Sequence, residues 1–135
     1  MTYKLGTRSL QNLSGVHPDL SNVVRRAIEI TKQDFTVIEG VRNIERQRKL
    51  YKSGASTTMN SRHLTGHAVD IAPYPFNGDF DKDGIPNIED WDQYYPLADA
   101  MKQAAEELSI SIVWGGDWKS FKDGPHFELD RKEYP

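Results

Sequence analysis

Apolar residues recur at two different periods along this chain, and the periods predict its elements. Leu20, Val23, Val24, Ala27 and Ile28 repeat at three- and four-residue steps, which predicts a helix with one buried face. His17-Pro18-Asp19 opens it, with proline suited to the first helical position and Asp19 to the positive end of the helix dipole. A shorter helical turn is expected near Ser9–Leu13. Phe35–Glu39 reads as a strand ended by Gly40. Asn43 then caps a helix running to about Lys52, with Gly54 as its stop signal. Ala68–Ile71 is expected as a core strand. Tyr94, Leu97, Ala98, Met101, Ala105 and Leu108 form the apolar face of a helix predicted to start near Pro96. Ile110–Trp114 and Pro125–Leu129 read as strands, separated by a Gly115-Gly116 turn. This order of elements predicts an α+β fold with a small, mainly antiparallel sheet flanked by helices.

Composition narrows the function. With 135 residues the chain is expected to be one domain, over residues 1–135. Hydrophobic residues make up 37% and charged residues 27%, the balance of a soluble globular protein. A net charge of -3 gives no support to nucleic-acid binding, which wants a basic face. No apolar run is long enough for a membrane span. The chain has no cysteine, so thiolate metal sites and disulfides are excluded. The first residues, Met1–Arg8, lack the apolar core of a signal peptide.

The chemistry gathers in Ser61-Arg62-His63-Leu64-Thr65-Gly66-His67-Ala68-Val69-Asp70. Catalytic zinc takes three protein ligands from His, Asp or Glu and keeps a further position for water. His63, on a turn, and Asp70, on the strand that follows, can supply two ligands if Gly66 lets the chain fold back. His126, at the start of a later strand, is the natural third. Asp123 lies three residues earlier, close enough to reach a water held at the metal. Zinc brings the pKa of such a water to about 7, and a carboxylate can then take its proton. His17, alone before a helix, is read as structural. Arg42 sits at a strand-to-helix junction, a common place for a side chain that faces a cleft.

The pattern S-x-H-x-x-G-x-A-x-D, paired with the downstream D-x-x-H-F-E-L, resembles the zinc peptidases that cut peptidoglycan stem peptides. These are the D-alanyl-D-alanine carboxypeptidases and dipeptidases, and above all the phage L-alanyl-D-glutamate endopeptidases; the Hedgehog signalling domain shares their fold. Val16–Leu20, Asp34–Gln47, Ser61–Pro73 and Asp123–Leu129 all look like segments of that family. The resemblance implies His63, Asp70 and His126 as zinc ligands and Asp123 as catalytic acid/base. It implies Arg42 as the residue facing the scissile carbonyl, where a guanidinium would stabilise the developing oxyanion. Gln47 and Ser61 match positions that line the substrate cleft, and His67 flanks the site without being a ligand.

A second metal candidate lies downstream. Asp79, Asp81 and Asp83 alternate at positions 1, 3 and 5 of a calcium-loop pattern, with Gly84 at 6, Asn87 at 9 and Asp90 at 12. Ile85 would contribute its backbone carbonyl. Position 12 is Asp90 rather than the usual glutamate, and Pro86 stands at position 8, which points to weaker affinity. The loop is expected as an insert over about residues 77–92 that calcium orders.

The expected function is that of a phage endolysin, a zinc endopeptidase cutting the L-alanyl-D-glutamate bond of the stem peptide. It is expected to be made in the host cytoplasm, to reach periplasmic peptidoglycan through a holin-type permeabilisation, and to act as a monomer. The alternatives are a D-alanyl-D-alanine carboxypeptidase or dipeptidase, and a zinc-stabilised binding domain without catalysis.

Overall fold

Among the described residues, four strands and four α-helices are arranged so that one sheet face meets the core and the other carries polar residues. The computed structural model of the chain describes residues 2–56, 59, 61–75, 91–119 and 122–135. In chain order the elements are α1 (Thr7–Asn12), α2 (Pro18–Ile30), β1 (Phe35–Glu39), α3 (Ile44–Ser53), β2 (Ala68–Pro73), α4 (Trp91–Leu108), β3 (Ile112–Trp114) and β4 (His126–Leu129). The strands pair in the order β1-β2-β4-β3, antiparallel throughout. The expected α+β class and antiparallel sheet are thus observed.

Helices α2 and α4 pack on each other and on the inner sheet face. Leu20, Val23, Val24 and Ala27 of α2 meet this core with Tyr94, Leu97 and Met101 of α4, all fully buried. The sheet contributes Val37, Val69, Ile71, Phe127 and Leu129. Each such large side chain contributes roughly 1.5–3 kcal/mol relative to exposure.

Most predicted elements fall where the apolar spacing put them; β2 runs on to Pro73, β4 starts one residue late at His126, and three other elements differ more. Helix α4 is already helical at Trp91, and Pro96 lies inside it rather than at its start. An interior proline costs about 3 kcal/mol in lost hydrogen bonding and ring clash. Burial of Tyr94 on the turn before Pro96 offsets that cost. Strand β3 begins at Ile112, two residues later than expected, because Ile110 N–H bonds back to Ala105 and extends the helix end. Helix α1 is a full element rather than a turn. Its buried Ser9 accepts the Val37 N–H and its Asn12 donates to the Val37 carbonyl, so it caps the outer edge of β1.

The sheet carries one irregularity that matters for the site. Val37 lies opposite Ile71, but Glu39 rather than Ile38 lies opposite Asp70. One extra residue in β1 is a β-bulge, which re-aims the side chains beyond it. Phe35 and Val37 face the core, and strict alternation would send Glu39 the same way. The bulge instead brings Glu39 alongside Asp70.

Candidate metal centre

The polar face of the sheet is where the candidate ligands meet. On β2, Val69 and Ile71 enter the core, so Asp70 between them faces the other way. On β4, Phe127 and Leu129 enter the core, so His126 and Glu128 share the Asp70 face. The register sets Asp70 directly opposite His126 and Ala68 opposite Glu128. His63 comes from the 3-10 turn Arg62–Thr65, which Gly66 ends with φ +77°. A side chain at Gly66 would meet the Gly15 carbonyl, so the turn back into β2 needs glycine twice over.

His63, Asp70 and His126 are all buried, and among the described residues they form a group able to share one ion. One donor atom from each lies within 4.8 Å of the others. His63 Nε2 is 3.2 Å from Asp70 Oδ1, and His126 Nδ1 is 3.3 Å from the same oxygen. The far side of each ring is fixed. His63 Nδ1 lies 2.9 Å from the Gly40 carbonyl, which can only accept, so that nitrogen carries the proton and Nε2 is left as a donor to metal. His126 Nε2 donates to Glu128 Oε1 at 2.9 Å, which leaves Nδ1 facing Asp70. Two oriented imidazoles and one carboxylate form a donor set that suits zinc.

Charge balance supports a cation at this place. Burial works against the Asp70 carboxylate. The two imidazoles that face it nonetheless hold its pKa well below the ordinary value. Burial alone would lower the pKa of His126, but hydrogen bonds to Asp70 and Glu128 and the charges of Asp70 and Asp123 push it up to about 10. Without metal, a proton on His126 supplies the positive charge that the surrounding carboxylates require.

A pH dependence follows for the metal-free protein. The His126 pKa rises from 6.5 to about 10 on folding. Its stabilising contribution is therefore full below 6.5 and lost as pH rises through 10. Melting in excess chelator should show stability falling across that window. A melting temperature that stays level from neutral pH to pH 10 would contradict it.

Asp123 lies in the turn leading into β4. Its N–H bonds to the Gly115 carbonyl at 3.0 Å, and Trp114 Nε1 donates to the carbonyl of the next residue, Gly124, at 2.7 Å. A Cβ on Gly115 would lie 2.4 Å from the Asp123 carbonyl oxygen, so glycine there permits the close approach. Burial and the Asp70 charge raise the Asp123 pKa to about 6, against the lowering influence of His126, His63 and Arg42. The same Cβ on Gly115 would lie 3.0 Å from Asp123 Cβ and 3.1 Å from His126 Cβ, so both side chains leave the chain next to Gly115. A raised proton affinity is what a general base requires.

Arg42 is buried and its guanidinium is clamped. Nε and Nη2 donate to the two Glu39 carboxylate oxygens at 2.7 and 2.9 Å. Nη1 donates to Gln47 Oε1 at 2.7 Å, and Nη2 stands 3.6 Å from Asp70 Oδ2. Gln47, expected along the cleft, is fully buried, accepts this bond from Arg42 and also donates to Ser56. Ser61 is half-buried, and its hydroxyl accepts the His63 N–H at 3.2 Å, capping the turn that carries His63. His67 stands apart, with Nδ1 2.7 Å from Thr65 Oγ1 and its ring beside His17. His17 itself caps α2, accepting the Asp19 N–H.

Sequence reasoning missed four residues of this neighbourhood. Glu39 arrives through the bulge, Glu128 through strand alternation, and Arg62 through its reach to the C-terminal segment. Trp118 lies with its ring 5.1 Å from the His126 ring. Only Glu128 had a readable signal, as part of the H-F-E-L run. The calcium-loop residues Asp79, Asp81, Asp83, Ile85, Asn87 and Asp90 lie outside the described residues.

Comparison with known proteins agrees with this geometry. A family model described as phage L-alanyl-D-glutamate peptidase matches residues 1–134. The L-alanyl-D-glutamate peptidase of Escherichia phage T5 is 34% identical over 137 residues, covering 99% of this chain and 94% of that protein. The crystal structure of the Serratia marcescens L-Ala D-Glu endopeptidase ChiX is 44% identical, with a TM-score of 0.84 over 99% of this chain and 95% of that one. The vancomycin-resistance D,D-dipeptidase VanXYg shares the fold at 18% identity, with a TM-score of 0.54 over 84% of this chain and 50% of its own. With its sequence matched almost end to end and its His-Asp-His cluster in place, the chain belongs to the phage L-alanyl-D-glutamate peptidase family.

Proposed function

We propose that this chain is a zinc-dependent peptidoglycan hydrolase that cuts the L-alanyl-D-glutamate bond of stem peptides during phage lysis of a host cell. The observation that carries this is the convergence of His63, Asp70 and His126, in a chain 44% identical to an L-Ala D-Glu endopeptidase. His63 Nε2, Asp70 Oδ1 and His126 Nδ1 would hold the metal. When bound, zinc would supply Lewis-acid polarisation of the scissile carbonyl and acidify the attacking water.

The chain's own groups do the rest. Asp123 takes the proton from the attacking water on its carboxylate and passes it to the leaving amine. Arg42 directs its guanidinium at the negative charge growing on the carbonyl oxygen. Glu39 and Gln47 hold that guanidinium still, so little ordering remains to be done as the charge develops. Ser61 keeps the His63 turn in place. Trp118, half-buried against His126, shields one side of the centre from water. No covalent intermediate is required.

Product mapping on purified peptidoglycan with added zinc tests the reading. New L-alanine C-termini paired with new D-glutamate N-termini are expected. Released D-alanine would instead favour a D,D-peptidase, the activity in the name of the more distant structural relative. Access to periplasmic peptidoglycan is proposed to come from holin-type permeabilisation, with the enzyme acting as a monomer. No helix among the described residues is long and apolar enough to cross a membrane.

Calcium binding at Asp79–Asp90 is proposed on the sequence pattern alone. Hydrolysis at fixed free zinc is expected to drop when EGTA removes calcium. Equal rates with and without EGTA would remove a switching role for the loop.

A further inference from the structure

Beyond the three ligands, the most heavily built part of this neighbourhood is the one behind His126. Glu128 is a carboxylate in the sheet, 6% exposed, and burying such a charge is costly unless hydrogen bonds and opposite charge compensate. Its shortest contact is with a ligand: Oε1 accepts from His126 Nε2 at 2.9 Å. Its other oxygen, Oε2, lies 3.4 Å from Arg131 Nε and 3.8 Å from Arg62 Nε.

Arg62 is held by other bonds. Its Nη2 donates to the carbonyls of Leu129 and Tyr134, at 3.2 and 2.7 Å. Its Nε is buried with no hydrogen-bond partner among the described residues. A fixed positive charge therefore stands behind Glu128 without forming a hydrogen bond to it. Oε1 is left to serve the imidazole, while Oε2 takes a longer hydrogen bond from Arg131.

We infer that Glu128 is a positioning residue for the metal centre, holding His126 in the orientation and tautomer that present Nδ1 to the ion, with Arg62 and Arg131 compensating its charge. The inference rests on the zinc reading above. Its physical reason is that an imidazole turns about its side-chain bonds and can carry its proton on either nitrogen. A carboxylate bonded to Nε2–H removes both freedoms and makes Nδ1 a stronger donor. Cross-strand space permits the arrangement, because the residue opposite Glu128 on β2 is the small Ala68.

The test is metal affinity in Glu128→Gln and Glu128→Leu, measured by competition against a chromophoric chelator with zinc alone. Cobalt substitution adds a visible spectrum that reports ligand geometry. Leucine cannot accept from Nε2–H, and its zinc affinity should fall roughly 10–100-fold. Glutamine keeps an acceptor without the charge and should lose less. The cobalt spectrum of the leucine variant should shift, a change that loss of an ordinary ion pair would not produce. If the leucine variant does not fold, the glutamine variant decides by the same affinity measurement.

Wild-type zinc affinity in every folded variant, together with loss of zinc in Asp70→Ala, would overturn the positioning role while leaving the metal reading intact. Failure of the wild type itself to bind zinc would sink that reading, and this inference with it.

Discussion

Replacing Asp123 with alanine is expected to lower peptidoglycan hydrolysis by roughly 10²–10⁴-fold, the range for loss of a general acid–base group. Zinc should stay bound, because Asp123 is not among the three converging donors. The reason for the size of the effect lies in its surroundings. Burial and the Asp70 charge raise its pKa to about 6, so it can both accept and return a proton near neutral pH. Asp123→Asn, which keeps the shape, should be as inactive as the alanine variant. Arg42→Met should fall by roughly 10²–10³-fold, the usual loss for one oxyanion donor. That measurement separates Arg42 from a structural arginine: kcat should drop more than KM rises. Asp123→Ala enzyme with near wild-type turnover would remove the proposed base, and full zinc content must accompany any loss for the loss to count.

Asp70→Ala is expected to abolish both zinc binding and activity. Asp70 Oδ1 is the point on which the two imidazoles converge, at 3.2 and 3.3 Å. Its carboxylate is also the main reason that a buried cation is favoured there, since it anchors the hydrogen bonds that raise His126. Removing it leaves two buried imidazoles facing each other with no fixed negative charge between them. A ligand that binds only the folded state stabilises it by about 2.7 kcal/mol at one hundred times its Kd. Thermal melting of the wild type should therefore rise with added zinc, while Asp70→Ala shows no zinc-dependent shift. A variant that still melts higher with zinc would mean that the ion sits elsewhere.

Much of this centre is legible in the order of residues along the chain. Short-range spacing carries the helices α2 and α3, including the Asn43 cap that accepts the Arg46 N–H. The paired motifs supply the residue types that cluster and the residue proposed as base. What spacing cannot supply is the state of each donor. His63 and His126 offer opposite ring nitrogens because one leans on the Gly40 carbonyl and the other on Glu128. Both partners depend on which segments are neighbours in space.

Sequence alone determined that this chain carries two histidines and two aspartates in a peptidase pattern, on elements short enough to cluster. Helical and strand periods are local properties, and reading them needs only a few consecutive residues. The tertiary structure alone decided that Glu39 clamps Arg42, that Gln47 accepts from the same guanidinium, and that Glu128 backs His126. Glu39 shows the reason most clearly. Its facing depends on one extra residue in β1, and that bulge exists only against β2, in a register set by pairing between segments some thirty residues apart.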